Sequence, residues 1–172
     1  LTFGLVIRSL NYDTTSKIMW GEYENTNGKV GVISINFGHS KAKRPDKRQI
    51  KMGIGTADGV IVDAKVLSGN HDDKTYNYQT LDDVEAILAR LQVPKEGFYY
   101  VADSALFTEK NIKKASRKNI KFITRTPGTV KLSKELTRQA WDSGEFSPIT
   151  LRNARNEDVE YAIWEQCDDY KG

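Results

Sequence analysis

One cysteine, Cys167, stands in the whole chain, so an internal disulfide and a cysteine-ligated metal site are both excluded. A cytosolic or other reducing location is the default expectation. Histidine is nearly as scarce, with His39 and His71 alone. No apolar run approaches the ~20 residues that a membrane span needs. No signal peptide opens the chain, no internal repeat shows and no low-complexity tract is present. Charge of one sign does not dominate either: the net charge is +3, which says little about partners.

What is present is an ordinary globular composition, 38% hydrophobic and 28% charged, at a length expected for one domain with a sizeable core. The chain opens on Leu1 and closes on Lys171-Gly172, directly after a predicted strand, which reads as a fragment of a longer protein. Charge is distributed unevenly. The segment from His39 to Lys51 carries Lys41, Lys43, Arg44, Lys47, Arg48 and Lys51 against Asp46. The segment from Lys110 to Arg125 carries seven cations and no acid, while the acids gather at 72–85 and 157–169. Two such basic runs suit a phosphate-binding face; a solvated surface accounts for them equally well.

Local patterns suggest the order of elements. Leu5-Val6-Ile7 and Ile18-Met19-Trp20 read as two strands with Asp13 between them, and Asn27-Gly28 as the turn that follows. Val30 to Phe37 is a further β-prone run. Asp58-Gly59 between Ile50–Ala57 and Val60–Leu67 predicts a hairpin, because both residues tolerate the positive φ of a type I′ turn. Val60, Val62, Ala64 and Val66 alternate with Ile61, Asp63 and Lys65, which predicts an apolar and a polar face. Asp72 and Asp73 suit a helix start, Leu81, Val84, Leu88 and Leu91 give a helical stripe, and Pro94 stops it. A strand over Tyr99–Ala102, a helix from Thr108 to Lys118 and a strand at Phe122-Ile123-Thr124 follow. Beyond Val130 the helical periodicity fades, with turns at Asp142-Ser143-Gly144 and Asn153–Asn156 and a strand at Val159–Trp164. Hairpins followed by βαβ-like units predict a mixed sheet covered by helices.

Two carboxylates carry the chemical hypothesis. Asp13 lies among strands, and Asp103 follows the apolar run Phe98–Ala102. A carboxylate at the heart of a sheet is costly unless something neutralises it, and a divalent cation does so when carboxylates converge. Phosphoryl chemistry with two metals needs acids on rigid strands, holding ions ~3.5–4 Å apart. The expectation is that Asp13 and Asp103 meet on adjacent strands and hold metal together. A turn residue at Asp13 and a helix cap at Asp103 are the plainer alternatives. The loop from Gly38 through His39, Ser40, Lys41 and Arg44 to Asp46 could grip a phosphate backbone, or it could be an exposed loop. His71-Asp72-Asp73 could suggest a metal site, but an ordinary helix cap is the plainer reading.

Taken together, Asp13-Thr14-Thr15, Phe37-Gly38-His39-Ser40-Lys41 with Arg44-Pro45-Asp46, Gly69-Asn70 with Asp72 and Lys74, and Val101-Ala102-Asp103-Ser104-Ala105-Leu106 resemble the DDE transposases of bacterial and archaeal insertion sequences, in particular the insertion-sequence-four type. The resemblance runs over residues 10–127. It implies an RNase H-like α/β core over 1–128 and, over 129–172, the beginning of a β-rich insertion. It implies that Asp13 and Asp103 are the first two acids of a metal-binding triad that uses Mg²⁺ or Mn²⁺, with Thr14 and Ser104 tuning their surroundings. Lys41, Arg44, Lys47 and Arg48 become phosphate contacts to double-stranded DNA, both transposon ends and target. The parent is expected to be DNA-associated, cytoplasmic and prokaryotic, free of membrane, and a homodimer is one possibility for it. The family's third acid is a Glu on a later helix; Glu145, Glu157, Glu160 and Glu165 lack its sequence context. Another RNase H-like nuclease and an inactive DNA-binding remnant are the alternatives.

Overall fold

The computed structural model describes residues 7–23, 31–167 and 170. The chain divides into two compact units, Leu1–Arg125 and Thr126–Gly172. The first is built on a five-stranded sheet in the order β3-β2-β1-β4-β5, with β1 at Ser9–Ile18, β2 at Gln49–Ala57, β3 at Val60–Ser68, β4 at Tyr99–Ala102 and β5 at Phe122–Ile123. β2 runs antiparallel to both β1 and β3, while β4 is parallel to β1 and β5 to β4. A mixed sheet of this order, with only its second strand reversed, has the RNase H-like topology.

Burial alternates along β1 and β2 with the period of two that a half-covered sheet requires. Leu10, Tyr12 and Thr14 are buried on the helix side, and Asn11 and Asp13 are exposed on the other. Helix α1, Asp73–Leu91, covers the first face through Tyr76, Asn77, Thr80, Leu81, Val84, Ile87 and Leu88. Its start is set by Asp72, whose carboxylate accepts the Thr75 N–H at 3.0 Å. Its end is set by Gln92 in the left-handed region, φ 56°, with Pro94 just beyond. Helix α2, Glu109–Arg117, is capped by Thr108 and tied to α1 by Asn111 Nδ2, which donates to the Lys74 carbonyl at 3.2 Å.

Aromatic rings fill the space between sheet and α1. Tyr12 and Tyr100, on neighbouring strands, stack with centroids 4.9 Å apart. Two glycines of β2 make room for the rings. A Cβ at Gly53 would stand 2.3 Å from the Tyr76 ring, and one at Gly55 would stand 2.6 Å from Tyr12.

Several expectations need correction. β1 is a single strand through Asp13, not two strands flanking a turn; Leu5, Val6, Asn27, Gly28 and Val30 lie outside the described residues. The run 31–37 is not a strand, and its β-pairing is a lone bridge between Asn36 and Gln49. The hairpin at Asp58-Gly59 is present, with φ of 51° and 77°. Its second arm, however, turns the other way. A register shift beside Gly55 and Thr56 leaves Val62 as the extra residue. Ala64 and Val66 are consequently exposed, while Asp63 and Lys65 pair with Arg90 and Asp83 of α1.

The second unit holds helix α3, Lys131–Ser143, and an antiparallel hairpin of β6, Ser147–Arg152, and β7, Asp158–Ile163. The helix was not expected; Gly144, at φ 64°, ends it. None of its residues is fully buried, but Leu132, Leu136 and Ala140 recur along it at helical spacing and are half-buried, a stripe that the sequence reading passed over. Among the described residues no helix is long and apolar enough to cross a membrane.

Candidate active site on the open face of the sheet

The parallel pairing of β1 and β4 runs Ser9 with Tyr99, Leu10 with Tyr100, Asn11 with Val101 and Tyr12 with Ala102. Asp13 and Asp103 are the residues that come next on either side. Each acid directly follows the last residue that pairs β1 with β4, and both are exposed. Asp13 sits mid-strand rather than in a turn. Asp103 lies one residue past the end of β4, where its Oδ1 accepts the Ala105 N–H at 3.0 Å and its carbonyl accepts the Thr124 hydroxyl at 2.7 Å. The cap of α2 is Thr108, not Asp103. A shallow cavity of about 230 Å³ opens beside Asp13, lined also by Asn11, Thr15, Ile54 and Thr56.

The loop 38–41 delivers a cation to this place. Gly38 is pressed against Gly69, where a Cβ would lie 2.2 Å from the Gly69 carbonyl oxygen. Gly69 is in turn pressed against Gln49, where a Cβ would lie 2.0 Å from the backbone oxygen. The fully buried Gln49 donates its Nε2 to the carbonyls of Gly69, at 2.8 Å, and His39, at 3.1 Å. Two motifs far apart in the sequence are thus a single packed feature. Ser16 Oγ then accepts the Lys41 N–H at 3.1 Å. From that anchor the Lys41 ammonium reaches both oxygens of Asp13, at 2.9 and 3.1 Å, and also donates to the Thr14 carbonyl. Lys41 therefore faces a carboxylate in this structure, a contact the sequence reading missed.

Beneath Asp13, on the helix side, lies a second charged group that sequence reasoning also missed. Thr14 is buried and donates its hydroxyl to Asp73 Oδ1 at 2.9 Å. Lys51, only 5% exposed, donates to the same oxygen at 2.9 Å. Burial pushes the Asp73 pKa up, but the hydrogen bonds from Lys51 and Thr14 outweigh it and hold the carboxyl below the ordinary carboxylate value. The Thr14 side chain thus serves Asp73, and only its backbone N–H, 2.7 Å from Asp13 Oδ1, bears on the candidate acid. Ser104 lies in the turn after Asp103, where its carbonyl accepts the Phe107 N–H at 3.2 Å. Asp72 is the cap of α1, as the plainer reading held. Burial, then nearby Lys51, holds His71 below the usual imidazole value.

The remaining predicted phosphate contacts all have partners within the chain. Arg44 grips Asp46 through two hydrogen bonds of 2.7 Å, and its hydrogen bond pulls the Asp46 carboxyl down to about 2. Lys47 lies 4.6 Å above the Trp20 ring, and Arg48 donates to the Tyr23 carbonyl at 2.6 Å. Part of the second basic run is paired with acids of α1 and α2. Lys114 is buried against Asp82 and the Tyr78 carbonyl, Lys118 reaches Asp82 at 3.4 Å, and Lys113 pairs with Glu109. Among the described residues, no three His, Cys, Asp or Glu side chains cluster as a metal site.

Solved transposase structures resemble this chain. The Mos1 mariner transposase catalytic domain is 8% identical, with a TM-score of 0.44 over 80% of this chain and 71% of that one. A Mos1 transposase paired-end complex with the left transposon end is 8% identical, with a TM-score of 0.45 over 80% and 48%. The Mos1 catalytic domain solved with Raltegravir and Mn is 9% identical, with a TM-score of 0.43 over 78% and 61%. The chain spans about half the length of the paired-end transposase. No family model matches the chain, and no curated protein matches it.

Proposed function

We propose that this chain is the catalytic-core part of a DDE transposase of the insertion-sequence-four type, whose parent cuts phosphodiester bonds at transposon ends and joins the freed 3′ ends to target DNA. The observation that supports the reading is the register of β1 on β4, whose last pair, Tyr12 with Ala102, is followed by Asp13 on one strand and Asp103 on the other. Two neighbouring carboxylates on strands, one already holding an ammonium, are a donor set that suits a divalent cation. In this reading Asp13 and Asp103 hold Mg²⁺ or Mn²⁺, which when bound activates the attacking oxygen and stabilises the leaving one. A third acid, a Glu on a later helix, completes the set in the parent, and residues 129–172 are the beginning of the β-rich insertion.

Lys41, Arg44, Lys47 and Arg48 form the phosphate-facing rim of the site. Lys41, Arg44 and Lys47 are held by exposed ion pairs, which contribute little, and Arg48 by a hydrogen bond to the Tyr23 carbonyl, so a DNA phosphate can replace these partners. The parent is DNA-associated in the cytoplasm of a prokaryote, and a homodimer is the assembly proposed for it.

The test uses the longer protein that contains the downstream region. Metal-dependent nicking and strand transfer are expected, and Asp13→Ala or Asp103→Ala should abolish both. Cleavage without strand-transfer products would favour another RNase H-like nuclease. Cleavage that survives either substitution would remove the proposed site. The 172-residue chain by itself should not nick DNA, because misplacing a reacting group by ~1 Å can cost a hundredfold in rate and here a ligand is missing.

A further inference from the structure

Asp13 and Asp103 each follow the last residue that pairs β1 with β4, and in the reading above both serve one metal; two carboxylates brought together repel one another when both are ionised. In the structure one of the pair is neutralised from within. The Lys41 ammonium spans both Asp13 oxygens and takes the Thr14 carbonyl as a further acceptor. An exposed lysine has a flexible stem and many places to go, so its arrival here needs a cause. Three anchors supply one: the Ser16 hydroxyl on the Lys41 N–H, Gln49 on the His39 carbonyl, and the close approach of Gly38 to Gly69. The loop backbone is fixed, and the side chain is left to reach the acid or turn away from it.

We propose that Lys41 is a built-in counter-ion of Asp13, which fills the cation position of the site and must rotate away for a divalent metal to bind there. The inference rests on the metal-binding reading of Asp13 given above. Lys41 then does two things by turns. It steadies the paired acids while no metal is bound, and it weakens metal affinity by the free energy of the contacts that are broken. The ammonium that turns away is released at the rim of the same site, where it becomes available to a phosphate oxygen.

The experiment measures Mn²⁺ binding to the purified chain by electron paramagnetic resonance of the free ion, with no DNA and no turnover. Four proteins are compared: wild type, Lys41→Met, Ser16→Ala and Asp13→Asn, each checked for an unchanged melting curve. Exposed ion pairs are weak, so Lys41→Met should tighten Mn²⁺ binding by about two- to fivefold. Ser16→Ala keeps both charges but frees the loop, and it should tighten binding in the same direction by less. Asp13→Asn should remove the binding that the other variants modulate. Equal or weaker binding in Lys41→Met, with Asp13→Asn still losing it, overturns the counter-ion role and leaves the metal site standing. Binding that ignores Asp13→Asn overturns the metal reading itself, and the counter-ion role with it.

Discussion

Lys41 holds both carboxylate oxygens of Asp13, at 2.9 and 3.1 Å, from a loop that is 28 residues away in sequence. The pair is exposed, so its contribution to stability is small. Its consequence lies in the site, where an internal cation stands on the acid proposed to bind an external one. The same face explains why Asp13 tolerates a mid-strand position: it points away from the aromatic core that holds Tyr12 and Thr14.

Breaking the buried group beneath the site should be more damaging than any change on the rim. Lys51→Met leaves Asp73 Oδ1 with the Thr14 hydroxyl as its hydrogen-bond donor among the described residues and the more distant charge of Lys41. Removing one partner of a buried pair costs about 3–5 kcal/mol, and the 30% exposure of the Asp73 side chain favours the lower end. Urea unfolding should show this loss, and the double variant Lys51→Met with Asp73→Leu should recover part of it. A single variant as stable as wild type would mean that the pair is dispensable.

Asp73 also sets a pH response. Its carboxyl is held below the ordinary value in the folded chain by Lys51 and Thr14, against the opposing effect of burial. The stabilisation it confers is present above its unfolded pKa of about 3.9 and is lost as pH falls through the lower folded value. Melting temperatures measured from neutral pH down through that window should decline more steeply in wild type than in Asp73→Asn. Parallel curves would remove Asp73 as a source of the acid sensitivity.

Gly53 should resist replacement. A methyl group there would stand 2.3 Å from the Tyr76 ring, and overpacking of this kind costs ~1–3 kcal/mol. At Gly128 a Cβ meets nothing within 4 Å, and Gly128→Ala should change stability by less than ~0.5 kcal/mol. Denaturant midpoints of the two variants check the contrast.

Binding of duplex DNA should be weak, insensitive to sequence and steeply dependent on salt, since phosphate neutralisation releases counterions. Lys47→Ala and Arg48→Ala should weaken it and flatten the salt slope. Lys114→Ala should leave affinity unchanged and lower stability, because that ammonium is buried against Asp82. Fluorescence titrations at two salt concentrations distinguish these outcomes, and a salt-independent affinity would refute the electrostatic picture.

Much of the first unit was legible because its signals are local. Asp58-Gly59 demands positive φ whatever surrounds it, and the stripe through Leu81, Val84 and Leu88 needs only helical spacing. Asp103 after an apolar strand was readable for the same reason. Helix α3 carried a shorter signal of the same kind, Leu132, Leu136 and Ala140 at four-residue spacing, and the sequence reading missed it. Within β1, the polar residues Asn11, Asp13, Thr15 and Lys17 resembled a turn, although their alternation with Leu10, Tyr12 and Thr14 is that of a strand with one covered face.

The sequence by itself determined which residues prefer strand, turn and helix, and it set two acids beside β-prone runs. Only the tertiary structure decided what those acids meet. The neighbour of Asp13 depends on the register of β1 against β4, and the cation on it depends on how Gly38 packs against Gly69 around Gln49. The extra residue in β3 likewise decides which of its side chains face α1. These are contacts between residues far apart along the chain, and a shift of one position in a strand reverses every side chain it carries. Local preference cannot encode that choice; the packing of the whole sheet makes it.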